Sequence, residues 1–266
     1  ASTIKPMLGL SGLNRGIIDA DSMVPDPGYY QLEGDSRRYR DWILRIRGTG
    51  HADEMNLRDS IAQSCDVYFY DLAHRLGIDA LADSLAEFGI GSTTGVDLPS
   101  EKQGVLPTPQ WKQGVIGSNW YGGETLIVGI GQGYMLTTPI QLAVAVSAIA
   151  NRGTAFKPSF VAAIDGIPVT NQPLLDIDAP ATHWREIIDG MVDTVFSARG
   201  TASGMRSGLD YSVAGKTGTA QVVGIAQDAT YEEDLLSEYQ RNHGWFVAFA
   251  PVDEPEIAVV VLTENS

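Results

Sequence analysis

Ser2 and Lys5, at the start of the chain, are three positions apart, a spacing that places both side chains on one face of a helix. The lysine amine could then take the proton of the serine hydroxyl and make the serine a nucleophile for acyl transfer. A lysine that acts as a base must be neutral, and burial, a neighbouring cation or the positive end of a helix would each lower its pKa. On the order of one Ser-x-x-Lys is expected by chance in a chain of this length, so a capped, solvated helix is the alternative interpretation of this motif alone.

Two further segments carry hydroxyl and charged groups in short patterns. Ser64-Cys65-Asp66 lies in a region of helical periodicity, and Lys216-Thr217-Gly218-Thr219 lies on a predicted strand. The second pattern is rare by chance, and a glycine inside a strand usually marks the close approach of a ligand or of another backbone. Two hydroxyls and a cation flank that glycine here. An edge strand with a solvated lysine is the alternative for this segment taken by itself.

Hydrophobic periodicity and capping residues predict the helices that must position these motifs. The first is predicted from about Ser2 to Leu13, with Ser2 as its N-cap. A stripe of apolar residues at helical spacing predicts a single helix from Asn56 to Gly77, which would contain the second motif. Residues 19–56 are predicted to form an ordered loop. Three further helices are predicted: Asp79–Phe88, Pro139–Ala150 behind a Thr138 cap, and His183–Phe196 behind a Thr182 cap.

The last third of the chain has the composition of strands. Segments 211–223, 245–250 and 256–263 are rich in valine and aromatic residues, and the turn at Asp253-Glu254-Pro255 predicts a hairpin between the last two. An acidic loop, Asp228 to Glu238, separates the first segment from this hairpin. The sequence therefore predicts an α+β fold, with a helical subdomain over roughly 19–150 and an antiparallel sheet mainly over 211–263.

Length and composition limit the class of protein. The 266 residues, of which 44% are hydrophobic, are enough for a core in one large or two intimate domains. Eighteen Lys and Arg against 33 Asp and Glu leave a net charge of −15, which argues against nucleic acid and anionic lipid as partners. The given chain has neither a targeting segment nor an apolar run near 18 residues. Its only cysteine, Cys65, cannot form an intramolecular disulfide.

The order of the three motifs resembles the signature elements of penicillin-binding proteins and serine β-lactamases. Asp66 stands where most of that superfamily has asparagine, and the elongation-specific enzymes of rod-shaped Gram-negative bacteria carry aspartate there. Four other segments are similar to the class B transpeptidases of this family: Tyr39-Arg40-Asp41-Trp42, Trp120-Tyr121-Gly122-Gly123-Glu124, Gly129-Ile130-Gly131-Gln132-Gly133-Tyr134 and Thr138-Pro139-Ile140-Gln141.

This resemblance covers nearly the whole chain and implies a fold and a location. The implied fold is the penicillin-binding protein/serine β-lactamase-like transpeptidase fold, an antiparallel sheet flanked by helices with an all-helical subdomain. Residues 1–266 would then be one transpeptidase domain truncated at both ends. The family also implies a place at the periplasmic face of the inner membrane, with a single-pass anchor missing from this chain, and a membrane glycosyltransferase of the elongation complex as partner.

The resemblance further implies a reaction and a role for each motif residue. The reaction would be D,D-transpeptidation, which cross-links peptidoglycan stem peptides ending in D-Ala-D-Ala during cell elongation and is inhibited by β-lactams. Ser2 would be the nucleophile and Lys5 its base. The other implied roles are proton relay by Ser64, orientation of neighbouring groups by Asp66, electrostatic bias by Lys216, an oxyanion hole from the backbone N–H groups of Ser2 and Thr219, and substrate contacts by Thr217, Gly218 and Thr219. Trp120 and Tyr121 lie close to the Gly-rich segment and are further candidates for substrate contact, with packing in the core as the alternative.

The resemblance implies no cofactor for catalysis, but it points to a structural metal site around the single cysteine. Cys65 would point away from the cleft if its two neighbours point into it. The alternative to a metal ligand is that Cys65 is a small buried residue of the core. Some elongation transpeptidases similar to this chain carry zinc on Asp, Asp, His and Cys. The corresponding residues here are Asp26, Asp41, His51 and Cys65, a set that would close a tetrahedral shell without an open position.

Other functions stay open at the level of sequence. A serine β-lactamase shares the three motifs but must activate a water to release its acyl group. The usual class A deacylation glutamate is followed four residues later by an asparagine, and Glu87, Glu101 and Glu124 lack this asparagine. A D,D-carboxypeptidase would use water as the acceptor in place of an amine. From a different class, the fold could serve as a β-lactam sensor or a non-catalytic scaffold, although every catalytic side chain is present.

Overall fold

Helices are the main regular elements in the first two thirds of the chain. The computed structural model describes residues 1–222 and 236–265. None of the helices among these residues is long and apolar enough to cross a membrane. The α-helices of the described part are α1 (Lys5–Asn14), α2 (Leu44–Arg47), α3 (Leu57–Gln63), α4 (Asp66–Glu87), α5 (Pro109–Val115), α6 (Gly122–Gly129), α7 (Pro139–Ala150) and α8 (Ala181–Phe196).

The strands form one three-stranded antiparallel sheet and four small two-stranded pairs in the described residues. The sheet has the order β11-β10-β9, and the pairs are β1-β4, β2-β3, β5-β8 and β6-β7. The bounds are β1 (Val24–Pro25), β2 (Tyr29–Tyr30), β3 (Tyr39–Arg40), β4 (Glu54–Met55), β5 (Thr154–Phe156), β6 (Ala163–Ile164), β7 (Ile167–Pro168), β8 (Pro173–Asp176), β9 (Ala214–Ala220), β10 (His243–Ala250) and β11 (Ile257–Thr263).

The predicted α+β class is confirmed, and the three strands of the sheet lie where the sequence placed them. The turn predicted at Asp253-Glu254-Pro255 joins β10 to β11 as a hairpin. Residues 19–56 contain β1 to β4 and α2 in otherwise irregular chain. The predicted acidic loop runs from Asp228 to Glu238, and its residues up to position 235 lie outside the described part of the chain.

The first helix is fully packed inside the molecule, and its start differs from the prediction. A 3-10 turn, Ser2–Ile4, precedes α1, and Ala1 stands at the N-cap position without any side-chain cap. The prediction that Ser2 caps the helix is therefore wrong. Residues 5–13 of α1 are all buried. Glycine permits this close packing, since a Cβ on Gly9 would lie 2.9 Å from methyl carbons of both Leu57 and Ile187.

The predicted helix from Asn56 to Gly77 is wrong in one respect, because it is broken at the second motif. Helix α3 begins after Asn56 and ends at Ser64, whose backbone is left-handed with φ of 58°. Cys65 is the N-cap of α4, which continues past a kink at Gly77. The apolar stripe that predicted one helix is real, but it could not show the break, which depends on contacts made by Ser64 with distant parts of the chain.

Two other helices show how far capping residues predict a boundary. Thr138 and Gln141 form a capping box at the start of α7, as the sequence predicts. The Gln141 side chain also donates to the carbonyls of Ser92 and Gln103, at 2.6 and 2.8 Å, so this helix start is fixed to a neighbouring loop. Helix α8 instead begins at Ala181 behind Pro180, and not behind the predicted Thr182.

Candidate active site

Lys5 connects the first motif to the second. Its side chain is fully buried, and its Nζ donates to Asp66 Oδ1 at 2.6 Å and to the Ser64 carbonyl oxygen at 2.9 Å. The Ser64 hydroxyl lies 3.4 Å from the same nitrogen. Ser2 stands one turn before Lys5 and is partly exposed, and its hydroxyl makes no hydrogen bond with any described residue. The lysine amine is therefore bound to the second motif.

Ser64 is held in its unusual backbone conformation from two directions. The Trp42 indole Nε1 donates to the Ser64 carbonyl at 3.2 Å, beside the bond from Lys5. These two donors come from helix α1 and from the loop before α2. Because a non-glycine residue with positive φ is strained, such contacts are needed to keep it in place.

Lys216 brings the third motif to the same centre. It is fully buried on β9, and burial lowers its pKa well below the ordinary value, with a further lowering from the charge of Lys5. Burial raises the pKa of Asp66, and the charge of Asp41 adds to this, while Lys5 opposes it. Two lysines and one carboxylate thus act on one another electrostatically where burial makes charge costly.

The glycine of the third motif allows the nucleophile turn to lie directly on the strand. A Cβ on Gly218 would be 2.9 Å from Thr3 Cγ2 and 3.0 Å from Ala1 Cβ. The close approach predicted for this glycine is therefore made by the turn that carries Ser2. On either side, Thr217 is half-buried and Thr219 is exposed, so both hydroxyls lie at the edge of the site.

Two residues that sequence reasoning missed contact this strand. The Thr201 hydroxyl lies 2.7 Å from that of Thr217, and Gln132 Nε2 donates to the Thr219 carbonyl at 2.6 Å. Gln132 also accepts from the backbone N–H of Gln221 at 3.2 Å. Gln132 lies in one of the segments that carried the family resemblance, which was the available signal. Thr201 belongs to no recognisable motif.

Trp120 and Tyr121, predicted as substrate contacts, lie outside the lysine cluster. Trp120 is half-buried, and its Nε1 donates to Thr125 Oγ1 at 2.8 Å, which gives it a structural anchor. Tyr121 is 64% exposed, with Lys112 Nζ 4.9 Å from its ring centre. Of the two, only Tyr121 offers a ring to a ligand.

Three of the four residues predicted to hold a metal come together in the fold. One donor atom from each of Asp26, His51 and Cys65 can be chosen so that all three atoms lie within 4.8 Å of one another, and each residue is buried. Asp41 lies beside this cluster, with Oδ1 3.1 Å from His51 Nε2. Its other oxygen accepts from the backbone N–H of Asp66 at 2.6 Å, at the start of α4.

Charge and donor type in this cluster suit a bound cation. Burial raises the pKa of the Cys65 thiol, and the nearby charges of Asp41 and Asp26 raise it further. Burial also opposes ionisation of Asp41, but the hydrogen bond and charge of His51 outweigh it and lower that pKa. A thiol sulfur, an imidazole nitrogen and carboxylate oxygens are the ligands that zinc takes in proteins, so the residues present fit this metal.

Comparison with known proteins decides the family. The model of the penicillin binding protein transpeptidase domain matches residues 1–266. The chain belongs to this family. Within the penicillin-binding proteins, it is homologous to the penicillin-binding protein 2 (MrdA) transpeptidases, as the motifs predicted.

Relatives among the penicillin-binding proteins share both sequence and structure with the chain. It is 45% identical to the peptidoglycan D,D-transpeptidase MrdA of Acinetobacter baumannii over 99% of its own length, and it spans 39% of that protein. The structure of Pseudomonas aeruginosa PBP2 in complex with WCK 5153 is 41% identical with a TM-score of 0.86, covering 100% of this chain and 56% of that one. Helicobacter pylori PBP2, solved as a complex with MreC, is 32% identical with a TM-score of 0.82, covering 99% and 45%.

Proposed function

We propose that the chain is the catalytic part of a peptidoglycan D,D-transpeptidase that cross-links stem peptides ending in D-Ala-D-Ala during cell elongation. The observation that carries this proposal is the buried Lys5 amine, held between Ser64 and Asp66 one turn after Ser2. Homology to the MrdA transpeptidases supports the reaction class. The chain spans about two fifths of the length of those proteins.

In the proposed acylation step, Ser2 Oγ attacks the carbonyl carbon of the penultimate D-alanine. The C–O bond to Ser2 forms, the peptide C–N bond breaks, and the serine proton passes to Lys5. Ser64, with its hydroxyl 3.4 Å from Lys5 Nζ, relays a proton to the leaving D-alanine amine. Asp66, whose Oδ1 accepts from Lys5 Nζ at 2.6 Å, orients the amine and the neighbouring groups.

Strand β9 provides the other half of the proposed site. The Thr217 and Thr219 hydroxyls would hold the terminal carboxylate of the substrate, and Lys216 would bias the proton relay electrostatically. The backbone N–H groups of Ser2 and Thr219 would form the oxyanion hole, in which losing one donor costs roughly 3 to 4 kcal/mol of transition-state stabilisation. Gly218 supports this arrangement, because it lets the Ser2 turn approach the strand.

In the proposed second step, an amine of another stem peptide resolves the acyl-enzyme. Its nitrogen bonds to the acyl carbon, the ester bond to Ser2 Oγ breaks, and a proton returns from the amine to Ser2 through Lys5. Use of water in place of the amine would make the enzyme a D,D-carboxypeptidase.

A β-lactam tests the nucleophile directly. The four-membered ring should acylate Ser2, so the intact protein should gain one drug mass in a mass spectrum, mapped to the peptide that contains Ser2. Ser2→Ala should abolish the adduct, whereas Ser22→Ala, which removes a hydroxyl from an exposed turn, should keep it. An adduct that persists in Ser2→Ala would refute the assignment. Rapid release of hydrolysed drug would indicate a serine β-lactamase.

We also propose that Asp26, Asp41, His51 and Cys65 hold a structural zinc ion, while catalysis needs no cofactor. Zinc would offset the negative charge that these buried groups bring together. Protein purified without chelator should carry close to one zinc per chain. His51→Ala should lose the metal, and His74→Ala, at an exposed histidine outside the cluster, should retain it. A zinc content near zero in the unaltered protein would refute the site.

The family resemblance extends the proposal to domain, location and partners. We propose that residues 1–266 belong to one transpeptidase domain with a helical subdomain over roughly 19–150, acting at the periplasmic face of the inner membrane. A single-pass anchor would lie outside residues 1–266. A membrane glycosyltransferase of the elongation complex is the proposed partner, and the complex of the Helicobacter PBP2 with MreC supports an assembly of this kind.

A further inference from the structure

A cavity of about 660 Å³ lies between residues 32–39, helix α6 and the residues that follow this helix. Its walls include the rings of Tyr39, Tyr121 and Tyr134. Gly133 also lines it, and the next residue back, Gln132, is bonded to the Thr219 carbonyl on the proposed catalytic strand. The volume is in the range of small-ligand sites, so the cavity can take part of a substrate that extends beyond the reacting bond.

Two side chains give this cavity opposite, unpaired charges. The Arg37 guanidinium lies over the Tyr39 ring, 5.0 Å from its centre, and no described carboxylate lies within 4.0 Å of it. Asp35 likewise has no cationic partner among the described residues, and its Oδ1 accepts only the backbone N–H of Arg37, at 2.9 Å. The remaining charge in the lining, Glu124, is already paired with Lys112 at 2.6 Å.

This pattern selects a ligand with two charges of its own. A guanidinium held by an aromatic ring is preorganised to bind a carboxylate through two hydrogen bonds. A carboxylate a short distance away along the same loop suits an ammonium group. The bound ammonium must release one proton to solvent before its nitrogen can attack the acyl carbon. Tyrosine rings between and around them suit an aliphatic chain. The ligand class that meets all three conditions is an amino-acid centre, with ammonium and carboxylate on one carbon, at the end of an aliphatic side chain.

We propose that this cavity binds the amino-acid centre that carries the acceptor amine of the second stem peptide. The inference rests on the proposed transpeptidase function, because only that reaction requires an amine acceptor. The terminal carboxylate of the first stem peptide is assigned to Thr217 and Thr219, on the other side of Gln132. Gly131 keeps the intervening segment against the nucleophile turn, since a Cβ there would lie 2.2 Å from the Ala1 carbonyl oxygen.

The test separates binding of the acceptor from formation of the acyl-enzyme. The intact protein is acylated with a D-Ala-D-Ala stem peptide and offered two acceptors, a stem peptide with a free carboxylate beside its amine and the same peptide with that carboxylate as an amide. Arg37→Ala should raise the KM for the free acid about tenfold or more, as loss of a charge-assisted hydrogen bond does. The KM for the amide and the rate of β-lactam acylation should not change.

Neighbouring residues supply matched controls. Arg38→Ala removes an equally exposed guanidinium that lies over Tyr29, 4.5 Å from the ring centre and outside the cavity, and it should leave both acceptors unaffected. Asp35→Asn keeps an oxygen for the Arg37 N–H but loses the charge, so it should raise the KM for both acceptors.

Two outcomes would overturn the inference: an equal effect of Arg37→Ala on the acid and the amide, or no effect on either. Slower acylation by the donor peptide in Arg37→Ala, with acceptor use unchanged, would also overturn it. Failure of the proposed function has a different signature, namely unaltered protein that forms no β-lactam adduct at all.

Discussion

At the scale of single residues, the site contains two buried lysines in different electrostatic situations. Lys5 has a carboxylate partner, Asp66, at 2.6 Å, and two further acceptors on Ser64. Lys216 has only the Thr217 carbonyl, at 3.0 Å, as an acceptor among the described residues. Burial therefore disfavours the charged form of Lys216, and this free-energy cost must appear in the pH dependence of stability.

The sign of that dependence follows from the lowered pKa of Lys216. The unfolded chain keeps a proton on this lysine up to about its ordinary value of 10.5, whereas the folded protein releases it at lower pH. The penalty is thus complete below the folded pKa and disappears as the pH rises to 10.5. Lys216→Met should raise the free energy of unfolding at pH 7, and the gain should shrink towards pH 10.5. Denaturant titrations across this range, with exposed Lys102→Met as the control, test it. A gain that grows with pH would contradict the expectation.

At the scale of elements, the packing of the Ser2 turn on strand β9 decides the geometry of the site. Gly218 stands where a Cβ would meet Thr3 and Ala1. Thr3 is buried, so its methyl group has little room to move. A larger residue at this position must therefore displace the turn or the strand.

Gly218→Ala should consequently impair the chemistry far more than the fold. A displacement on the order of 1 Å lowers rates by up to about a hundredfold, so we expect β-lactam acylation to slow by roughly tenfold to a hundredfold. The reaction is quenched at successive times, and the acylated fraction of the protein is determined by mass spectrometry. Gly204→Ala is the matched control, because nothing lies within 4 Å of a Cβ there. Unchanged acylation by Gly218→Ala would show that the turn does not depend on this contact.

The elements also show where sequence reasoning reaches its limit. The start of α7 was predictable because Thr138 and Gln141 satisfy its first backbone groups locally. The strands of the sheet were predictable from their composition. The break between α3 and α4 was not, because Ser64 is held by donors from Lys5 and Trp42, which are 59 and 22 positions away. The absence of a side-chain cap at Ser2 likewise reflects packing of the turn on β9.

At the scale of the whole molecule, the net negative charge belongs to the surface and not to the interior. The chain carries a net charge of −15, yet the described residues bury three lysines, Lys5, Lys112 and Lys216, beside three aspartates, Asp26, Asp41 and Asp66. The interior charges therefore balance, while the negative surface repels nucleic acid. The sequence predicted the surface property from its composition. It could identify two of these lysines only through motifs, and Lys112 through none.

The gathering of Asp26, His51 and Cys65 is also a property of the whole fold. Their positions in the sequence are too far apart for spacing to indicate a metal site, and only the family resemblance suggested one. The structure brings their donor atoms within 4.8 Å of one another, because the loop of residues 19–56 folds back onto the start of α4. Zinc binding itself and the division into subdomains stay predictions.

The two donors on the Ser64 carbonyl also bear on how the protein folds. Helices α3 and α4 can form from local contacts on a short timescale, but the two side-chain donors on the turn between them arrive only when α1 and the Trp42 loop dock. Contacts across such sequence distances close late, since they depend on chain segments that must first find each other. We therefore expect helical structure to form before the Ser64 hydroxyl reaches its final orientation.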